Sequence, residues 1–260
     1  MNSDGWLSRS LPPAVLFCGL LALWVFAVWA FPIPAYILPS PRLVADAAFS
    51  SEIAWSAHIW VTTLEIGGGF LLSALAGVLL GIVIAWSTLA ERTLVPFLVL
   101  VNTLPKVAVA PLFLLWLGYG VFPNIVIAAL IGFFPVVINT AVGLSQSPEE
   151  MLDLGRIFGA SKARIFRKIR VPGALPYILS ALKVSATTVV IGAIVGEFVA
   201  SQRGLGYVII NAQMTLNTPV AFVALIWISI IGLIAYGSVS VAGRWLAPWA
   251  EGLSGDNRST

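Results

Sequence analysis

Long uncharged, mostly apolar runs alternate along this chain with short polar breaks. The runs are Leu11 to Pro41, Ile66 to Ala90, Val107 to Pro148 and Gly204 to Gly243. Each exceeds the roughly 20 residues that carry an α-helix across about 30 Å of hydrocarbon, and two are long enough for more than one crossing. Apolar length and breakers together predict six helices, at residues 11–31, 61–86, 94–117, 123–144, 174–200 and 219–243. The breaks have suitable chemistry: FPIPAYILPSP closes the first run, STLAERT separates the second helix from the third, and GYGVFPN divides the third from the fourth as a hairpin. The expected fold is an all-α integral membrane protein forming one transmembrane domain over residues 1–260.

Composition agrees. The mean hydropathy is +0.99 and only 10% of residues are charged, against about 25% in soluble domains. The first run lacks a small-residue cleavage site and ends in bulky FPIPAY, so it reads as an uncleaved span. The single cysteine, Cys18, excludes a disulfide framework within the chain, and the single histidine, His58, has no second His or Cys with which to hold a metal. No metal site is expected.

Lys and Arg orient the predicted spans. With six crossings, Arg9, Arg92, Arg156, Lys162, Arg164, Arg167, Lys168, Arg170, Arg244 and Arg258 share one side, and only Arg42 and Arg203 lie on the other. The positive-inside bias puts the first group, and both termini, in the cytoplasm. Lys106 and Lys183 remain inside or near the ends of predicted spans.

Three features mark particular helices. In the second, Gly69, Ser73, Gly77 and Gly81 recur every four residues and line one face with small side chains; Gly192, Gly196 and Ala200 do the same in the fifth. Packing within one subunit is favoured over a dimer seam. The third helix carries Pro96, Pro105 and Pro111 together with Asn102 and Lys106, so it is expected to be broken and to line a polar path. Lys106 is a candidate functional residue because a charge at that depth costs about 2.5 to 3.5 kcal/mol, the alternative being a shifted helix from which it snorkels to an interface. Glu197 should lie near a span end, facing a polar vestibule or paired with Arg203, whereas Glu65 needs no more than an interfacial position.

The most patterned stretch is LDLGRIFGASKARIFRKIRVPGALP, residues 152–176. It concentrates six of the fourteen Lys and Arg residues. Leu152, Gly155, Phe158 and Gly159 recur at helical spacing, a Gly159-Ala160-Ser161 turn follows, and Ile165, Phe166 and Ile169 repeat the pattern with basic residues opposite. The reading is a short helix, a turn and a second helix returning to the membrane, stopped by Pro172 and Pro176. An apolar stripe beside a cationic face suits anionic lipid or a partner's groove. Nucleic acid is disfavoured, because net charge is only +3 and no recognised binding module surrounds the segment.

This segment resembles the cytoplasmic Glu-Ala-Ala motif of permease subunits from bacterial binding-protein-dependent ABC importers. Asp153, Leu154 and Gly155 stand at the triplet, Gly159 follows at the motif's distance, and Ile169, Val171 and Pro172 complete its end. Leu154 departs from the family's small alanine. YILPSPRLV, the Pro105–Gly120 run, FFPVVINT and GEFVASQRGLGYVI look like the branch serving nitrate, alkanesulfonates, taurine and pyrimidine or flavin vitamin precursors.

The resemblance implies a type I importer permease fold in the bacterial inner membrane, with residues 145–173 as the cytoplasmic loop. It implies a non-catalytic subunit with no cofactor of its own, ATP and Mg being bound by separate ATPase subunits. This chain indeed holds no G-x-x-x-x-G-K-[ST] phosphate loop. It further implies a second permease copy, an external solute-binding protein docking near residues 32–60 and 201–218, and a small-molecule solute. For coupling to the ATPase it points to Leu152, Leu154, Ile157 and Phe158 as apolar anchors, Gly155 and Gly159 for close approach, Asp153 and Arg156 at the rim, and Ala160, Ser161, Ile169 and Pro172 completing the motif. For the path it suggests Asn102, Lys106 and Glu197. The competing class is an ion-coupled secondary transporter or channel, which usually shows an internal repeat that is not evident here.

Overall fold

The computed structural model describes residues 4–250; Arg258, counted above on the basic side, lies outside them. No strand occurs among the described residues. The helices are α1 Asp4–Ala30, α2 Pro41–Ala48, α3 Trp55–Trp86, α4 Thr88–Thr103, α5 Lys106–Leu117, α6 Val121–Ser145, α7 Glu149–Ile157, α8 Lys162–Ile165, α9 Val171–Ala200, α10 Leu205–Met214 and α11 Thr218–Leu246. A π-helical turn, Phe166–Arg170, joins α8 to α9.

Four helical stretches are long and apolar enough to cross a membrane: Trp55–Trp86, Val121–Ser145, Lys162–Val199 and Thr218–Leu246. The pair α4 and α5 makes a fifth if the two count as one bent span, and α1 adds the shorter apolar stretch Ala14–Ala30.

Two expected elements change shape. Residues 94–117 are not one helix: α4 and α5 meet at 95°. Leu104 takes an extended conformation, with ψ of 135°, because the ring of Pro105 disfavours helix in the residue before it. Pro172 and Pro176, expected to stop the second helix of the basic segment, lie inside a continuous helical stretch. Pro172 sits in the first turn of α9, directly after the π turn, in which the Val171 N–H reaches back five residues to the Phe166 carbonyl. That register shift makes room for a ring with no N–H to give.

The chain packs as two compact units, Met1–Trp55 with Val208–Trp227, and Ser56–Tyr207 with Ile228–Thr260. In the first, Trp24 donates its indole N–H to the Pro39 carbonyl at 3.0 Å and stacks on Phe222, while Thr218 bonds the Tyr36 carbonyl at 2.6 Å.

In the second unit α6 is the central helix, buried on several sides through Ile127, Val136, Val137 and Leu144. The small-residue stripe of α3 packs on it. A Cβ on Gly69 would stand 2.6 Å from Ala128 Cβ, one on Gly77 2.7 Å from Val136 Cβ, and one on Gly81 2.6 Å from Thr140 Cβ. The two sets of numbers rise together, so the helices run parallel. Ser73 fills the remaining place, its hydroxyl 3.0 Å from that of Ser185 on α9. On the opposite face of α3, Leu71, Leu75 and Leu79 are more than 60% exposed, as a lipid-facing row should be. Against α9 the numbers run in opposite senses, Gly196 meeting Asn124 and Gly192 meeting Ala128. Both stripes therefore serve packing inside one chain, as expected; the side chain of Ala200 is outside the described set.

Candidate functional site

The fold brings the candidate residues together in three places, all within the second unit. The first is the basic segment. Helix α7 ends in a Schellman motif: the Ala160 N–H bonds the Gly155 carbonyl and the Gly159 N–H the Arg156 carbonyl, both at 2.9 Å. Gly159 holds φ of +69°, which glycine adopts cheaply. Ser161 then caps α8 by accepting from the Arg164 N–H. The expected Gly-Ala-Ser turn is thus a helix stop followed at once by a helix start.

This geometry divides α7 into two faces. Leu154, Ile157 and Phe158, with Met151, project outward, and Ile157 and Phe158 are 80% and 78% exposed. Leu152 was expected among them, but it is buried, on the face that also carries Arg156. Gly155 likewise serves its own chain. A Cβ there would lie 3.2 Å from Ile165 and 3.3 Å from Ile169, so its smallness lets α7 close on α8 and the π turn. Ile169 is therefore an internal packing residue, and Pro172 belongs to α9. Around Gly159 nothing lies within 4 Å of a Cβ, so that side is open. Asp153 and Arg156 form a surface pair at 2.6 Å, a type worth about 0.5 kcal/mol.

The second place is the bend between α4 and α5. Asn102 lies in the last turn of α4 and Lys106 opens α5; the Lys106 Nζ donates to Asn102 Oδ1 at 2.6 Å across the break. The same ammonium lies 4.4 Å from the ring centroid of Phe134 on α6, within cation–π range. Asn102 is exposed and Lys106 half-buried. A polar pair thus brackets the 95° bend in an otherwise apolar stretch.

The third place was underread from sequence. Glu65 and Glu197 are both buried, with Thr62 and Asn124. Thr62 donates to Glu197 Oε1 at 2.6 Å and accepts from the Leu205 N–H at 2.8 Å. The Gly206 N–H donates to Glu197 Oε2. Asn124 donates to Glu65 Oε1 and to the Ser201 hydroxyl, each at 2.8 Å. Beside them His58 Nδ1 accepts from the Gly204 N–H at 3.1 Å, and its ring stacks on Tyr207. The cluster ties α3, α6 and the end of α9 to the loop preceding α10. Glu197 is held by Thr62 and the Gly206 N–H rather than by Arg203, and its side chain faces this interior network rather than an open vestibule.

Glu65 also borders a cavity of about 570 Å³ lined by Tyr119, Gly120, Ser201, Gln202 and Arg203. A signal for Glu65 did exist. Thr62, Glu65 and Gly69 follow at i, i+3 and i+7, which places the carboxylate on the same buried face as the small-residue stripe. Thr62→Val keeps the shape but removes one acceptor and one donor, leaving the Leu205 N–H and a Glu197 oxygen short of partners at about 1 to 3 kcal/mol each. A clear fall in the detergent-solubilised melting temperature relative to wild type is expected; an unchanged transition would contradict the bonding pattern.

No group of three or more His, Cys, Asp or Glu side chains that could hold a metal occurs among the described residues. What the chain presents is a set of helices long and apolar enough to cross a membrane, with a broken span, a polar pair at the break and a short amphipathic helix, an arrangement suited to a transport conduit. It belongs to the family of binding-protein-dependent transport system inner membrane components, whose family model matches residues 77–251.

Curated relatives agree over nearly the whole length. The chain is 36% identical to the riboflavin transport system permease protein RibX of Chloroflexus aurantiacus, covering 94% of this chain and 91% of the relative. It is 31% identical to the formylaminopyrimidine transport permease protein ThiX of Halalkalibacterium halodurans, covering 94% and 97%. A structure of the MetNI methionine ABC transporter in an inward-facing conformation contains a chain with the same fold, at TM-score 0.64 and 19% identity over 78% of this chain and 99% of that one. The protein is therefore the transmembrane permease subunit of a binding-protein-dependent ABC importer, a multi-pass bacterial membrane protein that is not itself a catalyst. ATP hydrolysis belongs to a separate subunit, and the ion-coupled alternative falls away.

Proposed function

We propose that this permease works as two copies, with two ATPase subunits that bind ATP and Mg and an external solute-binding protein, and that α7 is the coupling helix. The observation that carries this reading is the outward row of Leu154, Ile157 and Phe158 on a nine-residue helix locked by the Gly159 turn. A short rigid helix with unpartnered large apolar side chains suits a groove in a moving partner. Asp153 and Ser161 frame that row; Leu152, Gly155, Arg156, Ala160, Ile169 and Pro172 lie on its inner side and toward the membrane helices. The basic residues around it support a cytoplasmic position for this end and for both termini. Residues 32–60 and 201–218 then face outward, where the binding protein docks.

The solute path runs along the bend at Asn102 and Lys106, with Glu197 bracing its outer end through the buried network. The solute is a small molecule of the nitrogen-heterocycle, vitamin-precursor kind, supported by the similarity to the riboflavin and formylaminopyrimidine permeases; nitrate, alkanesulfonates and taurine are the other members of the panel to test. Selectivity for it rests largely with the binding protein. Thermal shift of that partner against the panel names the cargo, because a ligand that binds the folded form raises its melting temperature.

Lys106→Ala removes a charge-assisted bond of about 1.5 to 3 kcal/mol at the bend. It is expected to slow ATP-dependent uptake at least tenfold while the ATPase still co-purifies. Unchanged uptake at normal expression would remove Lys106 from the path. Co-expression with candidate ATPases and a pull-down tests the assembly itself, and a permease that neither retains an ATPase nor supports ATP-driven uptake would overturn it.

A further inference from the structure

The outward face of α7 leaves the basic residues of this segment without a role, and three of the six, Arg156, Lys162 and Arg170, converge on its other face. A cavity of about 490 Å³ lies between α7, α8, the π turn and the end of α3, lined by Trp86, Leu152, Arg156, Lys162, Phe166 and Arg170, with Ala160 and Ile165. Three of these side chains are cationic and none is acidic. Arg156 is partly neutralised by Asp153, but Lys162 makes no ion pair among the described residues. The Arg170 guanidinium donates to the Ala85 carbonyl at 3.4 Å, at the last turn of α3, which leaves most of its donors free.

The remaining wall is apolar and aromatic. Trp86, the final residue of a membrane-crossing helix, meets Phe166 edge-on at 5.0 Å between ring centroids, and Trp86 is 57% exposed. Tryptophan at the end of a span marks the level of lipid headgroups, and cations clustered there on the cytoplasmic side attract anionic lipid.

We infer that this cavity binds the phosphate headgroup of an anionic phospholipid. Lys162 and Arg170 meet the phosphate, with Arg156 at its edge, and Trp86 and Phe166 flank the glycerol and upper acyl region. The α7 geometry separates this ligand from the ATPase. Leu152 and Arg156 are four residues apart on the cavity face, whereas Leu154, Ile157 and Phe158 point outward. One helix therefore sits between a bound lipid and a docked subunit, so that headgroup occupancy fixes the angle at which α7 is presented.

This inference rests on the coupling role proposed for α7, and the two are tested by different readouts. The permease–ATPase complex is equilibrated in detergent with equal amounts of phosphatidylglycerol and phosphatidylcholine, washed, and its retained lipid quantified by mass spectrometry. Wild type should retain phosphatidylglycerol in clear excess. Lys162→Gln, an exposed substitution outside the docking row, should lower that retention about fivefold and Lys162→Glu further, with phosphatidylcholine unchanged and the ATPase still bound. Equal phosphatidylglycerol retention in all three proteins would overturn the site. Displacement of phosphatidylglycerol from wild type by millimolar inorganic phosphate would assign the cavity to a soluble anion instead. Loss of the ATPase from Lys162→Glu with lipid retention unchanged would make the cavity part of the subunit contact. Failure of the coupling reading alone would appear as intact lipid selectivity in a permease that never retains an ATPase.

Discussion

Phe158→Asp and Ile157→Asp should each abolish co-purification of the ATPase subunit and reduce ATP-dependent uptake at least a hundredfold, while the permease itself reaches the membrane in normal amounts. Both side chains are about four-fifths exposed, so neither contributes much to the stability of the isolated permease. In the proposed complex they fill the partner's groove. Truncating a central apolar anchor of an interface costs about 2 kcal/mol or more, and a carboxylate adds the cost of burying an unpaired charge. Together these exceed the roughly 2.7 kcal/mol that a hundredfold loss requires. Leu152→Ala provides the contrast. Leu152 is buried against its own chain, so its truncation should lower the permease's own stability by about 2 to 3 kcal/mol, read as a lower melting temperature in detergent. If the aspartate variants lower the permease's stability as much as Leu152→Ala does, the division of α7 into two faces is wrong.

Gly204→Ala should be among the most damaging single methyl additions at the described glycines. Gly204 holds φ of +110°, a conformation that an L-residue reaches only with strain. An added Cβ would also lie 2.6 Å from Glu197 Oε2 and closer still to the rest of that carboxyl group. The clash cannot be relieved cheaply, because moving Glu197 breaks its bonds to Thr62 and to the Gly206 N–H. Strain, overpacking and unsatisfied buried groups sum to at least about 3 kcal/mol. Loss of folded permease from the membrane fraction, or a melting temperature lower by more than 10 °C, is the expected result. Gly118→Ala serves as the control. Gly118 also has positive φ, at +80° with ψ of −168°, but nothing lies within 4 Å of its Cβ position, so only backbone strain of about 1 to 3 kcal/mol applies. Equal tolerance of both variants would contradict the account of the Glu197 network.

Apolar length and prolines were sufficient to place most helices, because both act locally. Residues 123–144 became α6 at Val121–Ser145 and residues 219–243 became α11 at Thr218–Leu246, with only their ends shifting. The small-residue stripe of α3 was legible for the same reason: a four-residue repeat states which face must let another backbone approach. The path of the chain at Pro172 was not. A proline inside an apolar segment can stop a helix, kink it or be absorbed by a π turn, and the packing of Gly155 against Ile165 and Ile169 selects the last. That packing also reassigns the motif's residues. The resemblance put Leu152 beside Leu154 as an anchor, but orientation on a nine-residue helix is set by what lies beneath it.

Buried polar chemistry was the least legible. Glu65 and Glu197 lie 132 positions apart, and Asn124 and Thr62 carry no motif that announces a network. Each alone looks like an interfacial residue at a span end. Only the fold, by bringing α3, α6 and the Ser201–Gly206 segment together, shows that their polar atoms answer one another.

The outward face of α7 is proposed as the surface through which the ATPase drives this permease. Cys18 is the chain's single cysteine, so Cys18→Ser yields a cysteine-free background into which one thiol can be returned. With Ile157→Cys or Phe158→Cys in that background, a short thiol-to-amine crosslinker should join the permease to the co-expressed ATPase in high yield. Leu152→Cys, on the buried face, should give little product. Efficient crosslinking from position 152 with none from 157 or 158 would contradict the account.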